Sequence, residues 1–208
     1  DISWLEIIEY IISKKKPVLI ASGASSSEDV KRVMRIALKK TKDLVLMQCN
    51  TNYTGSSNNF KYTNLNVLKQ FSKDYPNTIL GLSDHTEGHA TTLGAITLGA
   101  RVIEKHFTDD NNQEGPDHGF AMNPQSWRDM VDRSYELLSA LGDGVKRVEP
   151  NEIQSQIVQR RCLRVRKSLT KGHILQNEDF IYLRPISKNG VHPYEKDIFI
   201  GKKLIVNI

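Results

Sequence analysis

Through its first 140 residues the chain alternates short apolar, β-branched runs with stretches of helical periodicity, and this alternation limits the fold more than any other feature. It is the pattern of βα units feeding a parallel sheet. Residues 1–14, with Ile2, Leu5, Ile8 and Ile12 at near-helical spacing, read as a leading helix. Pro17 to Ser22 reads as a buried strand, followed by Ser25 and Glu28 at capping-box spacing and a helix that puts Val30, Val33, Met34 and Ala37 on one face. Leu44–Cys49 and Thr78–Leu82 read as two further strands, followed by helices around Leu65–Phe71 and Gly88–Leu98. A fourth strand begins at Arg101. Its helix opens at Asn123-Pro124, an N-cap followed by proline at the first helical position, and carries Trp127, Met130, Val131 and Leu138.

Four βα units are half of an eightfold barrel, which takes about 250 residues when whole. The expected fold class is therefore α/β, with residues 1–141 forming the C-terminal half of a (β/α)8 barrel. Between Gly142 and Gln159 the chain turns polar and reads as a linker. Residues 160–208 then offer three short strand-like runs, Leu163–Arg166, Phe180–Leu183 and Lys203–Val206, separated by turns. These suit a small β-rich domain near the lower size at which domains fold alone.

Composition excludes several classes. No apolar run approaches the roughly 18 residues of a membrane span, and the first residues lack the basic and apolar regions of a signal peptide, so the expected location is the cytoplasm and no membrane partner is expected. Cys49 and Cys162 are too few and too far apart for a disulfide framework and read as buried small hydrophobes. The net charge of +5 is spread over helix faces with one denser patch from Arg160 to Lys167, a balance that attraction for anionic metabolites explains as well as nucleic acid does, and no nucleic-acid partner is expected.

In a parallel barrel the loops after the strands form the active face. Every strand end here is polar: Ser22-Gly23, Gln48-Cys49-Asn50-Thr51, Ser83-Asp84-His85-Thr86 and Glu104-Lys105-His106-Phe107-Thr108. Alternation puts Glu104 and His106 on one face of the last strand. His85 and His106, at the ends of consecutive strands, could share a divalent cation such as Mn²⁺, Fe²⁺ or Zn²⁺, with Glu104 or Asp84 as a neighbouring carboxylate. Either histidine alone reads equally well as a hydrogen-bonded barrel residue. His89 reads as structural or as support to the metal ligands, and His173 and His192 as solvent-exposed turn residues. Glu114 to Gly119 forms a fixed loop with an acid-base pair at its apex, and Arg184 follows a strand of the small module.

Taken in order, Lys16 to Gly23, Gly81 to Thr86, Gly99 to Thr108 and Gly115 to His118 resemble the N-acetylneuraminate (sialic acid) synthase family, which includes legionaminate and pseudaminate synthases. Arg160-Arg161, Lys171 to Leu175, Leu183 to Pro185 and Ile200 to Lys203 resemble that family's antifreeze-like, or SAF, domain. The resemblance implies a condensation of phosphoenolpyruvate with an N-acylated mannosamine-like aldehyde that yields a nonulosonic acid and phosphate. It implies a divalent metal, Mn²⁺ with Mg²⁺ or Co²⁺ as alternatives, on His85 and His106, and Glu104 beside the reacting carbons. Ser83 and Thr51 would contact phosphoenolpyruvate, and Tyr53 and Asp117 the sugar. Arg184 would reach a sugar on the other subunit of a homodimer with exchanged cap domains. The family's phosphate-gripping lysines belong to the first half of the barrel, so this half alone is expected to be inactive. Two other readings stay open: a non-catalytic carbohydrate-binding or assembly module, and a metal-dependent barrel hydrolase or aldolase.

Overall fold

The computed structural model describes residues 2–208, which divide into two compact units after Gly144. The first is built on four parallel strands, β1 (Val18–Ala21), β2 (Leu44–Cys49), β3 (Ile79–Asp84) and β4 (Ala100–Lys105), hydrogen-bonded in that order. Helix α1 (Leu5–Ser13) precedes them, α2 (Ser27–Lys40), α3 (Val67–Asp74) and α4 (Ala90–Thr97) connect them, and α5 (Pro124–Leu141) follows. The expected leading helix is present in this shorter form; Asp1 lies outside the described residues.

Helix α2 starts where Ser26 and Asp29 exchange hydrogen bonds, Asp29 N–H donating to Ser26 Oγ at 3.3 Å and Ser26 N–H to Asp29 Oδ2 at 3.0 Å. The box is thus one residue later than the expected Ser25–Glu28 pair, which has the same spacing; the Ser25 hydroxyl donates instead to the Gly23 carbonyl. Helix α5 opens as its sequence suggests, with Asn123 accepting from Ser126 N–H and Pro124 in the first turn. Of its expected core residues only Met130 is buried.

Every residue of β2 is buried, as befits a strand with neighbours on both sides. Val18, Ile20, Leu44, Leu46, Leu80, Leu82 and Ala100 point into a core shared with α1 to α4. The opposite face is less covered, with Leu19 and Ile79 exposed by about half.

Between β3 and β4 the register slips by one residue. Leu80 pairs with Ala100 but Gly81 pairs with Val102, leaving Arg101 as the extra residue. Gly81 permits the close approach, because a Cβ there would sit 2.8 Å from the Val102 carbonyl oxygen and 2.9 Å from Met47 Cγ. Ala100 and Ile103 can both face the core across the slip, although strict alternation would put them on opposite sides. Beyond it, Ser83 lies opposite Glu104 and Asp84 opposite Lys105.

In the second unit, Pro150–Glu152 forms a 3-10 turn that runs into α6 (Ile153–Gln159), where the sequence suggested a linker. Glutamine and isoleucine are adequate helix formers, so polarity alone did not mark a loop. Strands β5 (Cys162–Val165) and β6 (Phe180–Leu183) pair antiparallel. The expected third strand at Lys203–Val206 is reduced to one bridge between Ile174 and Lys203. Its partner segment turns at Gly172 (φ 94°), so backbone bonds such as Leu204 N–H to His173 O do not extend into a ladder. Leu169, Leu175 and Phe180 form the small core. Both cysteines are buried and free, as expected. Among the described residues no helix is long and apolar enough to cross a membrane.

Candidate active site

The C-terminal ends of the four strands open into a cleft of about 580 Å³ lined by Gly23, Cys49, Thr51, Tyr53, Ser83, His85, Glu104 and His106. Six of these are residues that the sequence nominated. The strands explain the convergence: Ser83 and Glu104 are register partners, and each is followed two positions later by a histidine on the same side.

The imidazoles of His85 and His106 lie 5.0 Å apart, and the Tyr53 ring packs edge-on against both, at 4.4 and 5.6 Å. His85 Nδ1 is 3.0 Å from the Asn50 carbonyl oxygen. A carbonyl only accepts, so Nδ1 carries the proton and Nε2 keeps a lone pair. His106 Nδ1 faces Asp117 Oδ2 at 3.4 Å, and Phe120 packs on the ring at 5.1 Å. His85 is thus held through Nδ1 by a backbone acceptor, and His106 has a carboxylate beside its Nδ1, an arrangement that suits histidines which bind metal through Nε2. Among the described residues no group of three His, Cys, Asp or Glu side chains converges on one point. A cation held by the imidazole pair would therefore need water or substrate oxygens to complete its coordination.

Ser83 is buried and its hydroxyl donates to Glu104 Oε1 at 2.7 Å, while Glu104 stays exposed to the cleft. Gly23 makes room for Thr51, whose Oγ1 would be 1.8 Å from a Cβ at position 23. The acid-base pair of the 114–119 loop splits: Asp117 turns to His106, whereas His118 Nδ1 donates to Thr108 Oγ1 at 2.7 Å. That direction is forced because the Thr108 hydroxyl spends its own proton on the Asp110 carbonyl. Asn111 ties the loop further by donating to the carbonyls of His118 and Ala121.

Asp84 departs from the sequence reading. It faces away from the cleft and forms a buried ion pair with Lys105, so it is not a carboxylate beside the imidazoles. The alternation that placed Glu104 and His106 together also puts Asp84 and Lys105 on the far face, and this was the available signal. His89 stands just before the first turn of α4 without a side-chain cap bond, and its Nδ1 lies 3.5 Å from Asp129 Oδ2, a structural position. His173 is no free turn residue: its Nε2 lies 2.7 Å from Asp179 Oδ2 because the turn folds back on β6. His192 stacks on Tyr194. In the second unit Arg184 is exposed just after β6.

Curated relatives align along nearly all of this chain. N,N'-diacetyllegionaminic acid synthases of Legionella pneumophila and Campylobacter jejuni are 31% and 30% identical over 100% and 97% of it. Human N-acetylneuraminate-9-phosphate synthase is 29% identical over 97%. The chain spans 58%, 60% and 55% of the length of these three relatives. Among solved structures, the spore coat polysaccharide biosynthesis protein SpsE of Bacillus subtilis superposes over the whole chain and 62% of its own, with a TM-score of 0.63 and 25% identity. N-acetylneuraminic acid synthetase of Leptospira borgpetersenii shares the fold over 74% of this chain and 53% of its own, with a TM-score of 0.67 at 24% identity. The NeuB family profile matches residues 1–146, the part that holds the parallel sheet and its cleft, and on that match the chain belongs to the NeuB family.

Proposed function

We propose that the protein to which this chain belongs condenses phosphoenolpyruvate, water and an N-acylated mannosamine-like aldehyde into a nonulosonic acid and phosphate. The observation that carries this reading is the cleft itself, where Tyr53, Ser83, His85, Glu104 and His106 converge at the ends of adjacent parallel strands. The names of the synthase relatives support it. In this reading His85 and His106 hold Mn²⁺, with Mg²⁺ or Co²⁺ as alternatives, through the ring nitrogens turned away from Asn50 and Asp117. Such an ion, when bound, supplies a Lewis acid for the aldehyde carbonyl.

The chain's own residues do the rest. The Ser83 hydroxyl and Thr51 bind phosphoenolpyruvate, and Tyr53 and Asp117 hold the sugar. Ser83 donates its one hydroxyl proton to Glu104 Oε1 in the free site and turns it to phosphoenolpyruvate on binding, which leaves Glu104 to take a proton from the water that adds to carbon 2, as phosphate leaves by C–O cleavage. Residues 2–141 serve as the second half of a (β/α)8 barrel. The module from 160 to 208 serves as an SAF-type cap whose Arg184 reaches the sugar of the other subunit in a cytoplasmic homodimer. A trianionic substrate also needs cations, and these come from a first half-barrel, so the 208 residues alone are inactive.

Phosphate release from phosphoenolpyruvate is the test, measured with N-acetylmannosamine and related aldehydes on this chain and on a complete barrel. Turnover by the complete barrel that requires both substrates and metal is the expected result. Sugar binding without turnover would point to a carbohydrate-binding module, and turnover without phosphoenolpyruvate to a hydrolase or aldolase; either outcome rejects the synthase.

A further inference from the structure

Behind the cleft, Asp84 and Lys105 form an ion pair at 2.5 Å with each side chain only 1% exposed. They are interleaved with the site: Ser83-Asp84-His85 on one strand end and Glu104-Lys105-His106 on the next. They are also the last register partners of β3 and β4, so the backbone ladder stops where the two histidines begin. The pair reaches past that point. Lys105 Nζ donates to the Thr86 carbonyl at 2.7 Å, and Asp84 Oδ1 accepts from Thr86 N–H at 3.2 Å. His85 is thereby bracketed on both sides. Asp84 Oδ2 also accepts from Thr91 Oγ1 of α4 at 2.6 Å, which ties the strand end to the helix layer.

A buried ion pair contributes little net stability compared with apolar residues of the same shape, so stability alone is a weak reason for this network. We propose that Asp84 and Lys105 are positioning residues that set the separation and ring orientation of His85 and His106. Carrying the pairing of the strands one residue further by side-chain bonds, they hold the imidazoles where sheet hydrogen bonding no longer does. The geometric claim stands on the chain itself; only its kinetic consequence rests on the synthase reading.

The test compares the full chain with an Asp84→Asn/Lys105→Met variant, in which both charges are removed at nearly constant shape. The free protein carries ¹⁵N-labelled histidine, assigned through His85→Gln and His106→Gln. The native chain should show His85 protonated at Nδ1. In the folded double variant that proton should lose its protection from exchange, and the His85 and His106 ring signals should shift or broaden, with no metal or substrate present. In the complete barrel, kcat should fall about 10- to 100-fold, the scale of an ångström-level misplacement, with the KM for phosphoenolpyruvate little changed. A folded double variant with native histidine signals overturns the proposal. Should the double variant not fold, Thr91→Val removes a single donor to Asp84, and native signals in that variant overturn it equally. Altered signals in a protein whose native form shows no condensation would leave the positioning intact and reject the synthase reading instead.

Discussion

The two units hold their polar residues in place by different means. In residues 2–144 the chemistry sits on strand ends rooted in a core that runs from α1 to β4, with Val33, Met34, Leu46, Leu68 and Leu82 fully buried. In residues 145–208 four buried apolar residues, Cys162, Leu169, Leu175 and Phe180, serve a whole module, and turns are fixed by hydrogen bonds such as His173 to Asp179. Strand register fixes directions closely because every residue inherits its face from its neighbours. Turn bonds fix them one at a time. A catalytic pair suits the first kind of scaffold, and a substrate-capping contact suits the second.

The largest expected effect would break this contrast at its centre. His85→Ala and His106→Ala should each lower metal-dependent phosphate release by the complete barrel more than about 100-fold, since even the outer partners of metal ligands are worth 10- to 100-fold. Unchanged activity in both variants would reject the shared metal. In the small module, Phe180→Ala should cost about 3–5 kcal/mol, enough to unfold a unit with so few buried side chains. Amide exchange at Arg166, whose N–H donates to the Asp179 carbonyl just before β6, reads that loss directly, and a protected amide in the variant would show a core elsewhere.

Smaller effects sharpen the comparison. Arg184→Ala should raise the KM for the sugar by about 10- to 100-fold and leave that for phosphoenolpyruvate unchanged, as a charge-assisted contact of about 1.5–3 kcal/mol is lost from one substrate. Equal increases for both substrates would remove Arg184 from the sugar site. Gly23→Ala drives a methyl group into Thr51 Oγ1. It should cost about 1–3 kcal/mol of stability, and Thr51→Ala in the same chain should recover part of that loss in a denaturant melt; no recovery would show that the clash lies with Cys49 Sγ.

The smallest effect is one of pH. The hydrogen bond from His173, and then that from Gln176 N–H, hold the Asp179 carboxyl below its ordinary value of 3.8. A depressed carboxyl stabilises the folded turn above its unfolded pKa, and the contribution fades as pH falls through the lower folded value. The protection of the Gln176 amide relative to its intrinsic exchange rate should therefore fall in acid below that ordinary value, and Asp179→Asn should flatten the profile. A flat profile in the native chain would remove the carboxylate from the turn's stability.

Much of this was legible in the sequence, for identifiable reasons. Apolar strands ending in Ser83, His85, Glu104 and His106 declared the parallel sheet and the polar edge where its cleft opens, because ionisable residues after a buried run need polar surroundings. The capping box moved from Ser25–Glu28 to Ser26–Asp29 because two equivalent pairs overlap and spacing alone cannot choose between them. Helix α6 was hidden by polar composition, and the expected strand at Lys203–Val206 by a partner that turns away at Gly172. The role of Asp84 was missed because proximity in sequence was read as proximity in space, although its neighbours already assigned it to the other face.

Arg101 can be viewed as a spare letter in a reading frame. Upstream of it Ala100 is matched to Leu80, and downstream Val102 is matched to Gly81, so its removal would leave a regular strand with Glu104, Lys105 and His106 on their present sides. With Arg101 already gone, loss of Val102 or Ile103 as well would be a frameshift in space, turning Glu104 and His106 toward the helices and Lys105 into the cleft. The cleft edge of this sheet is therefore buffered against the loss of one residue of β4, and the slip at Gly81 marks where.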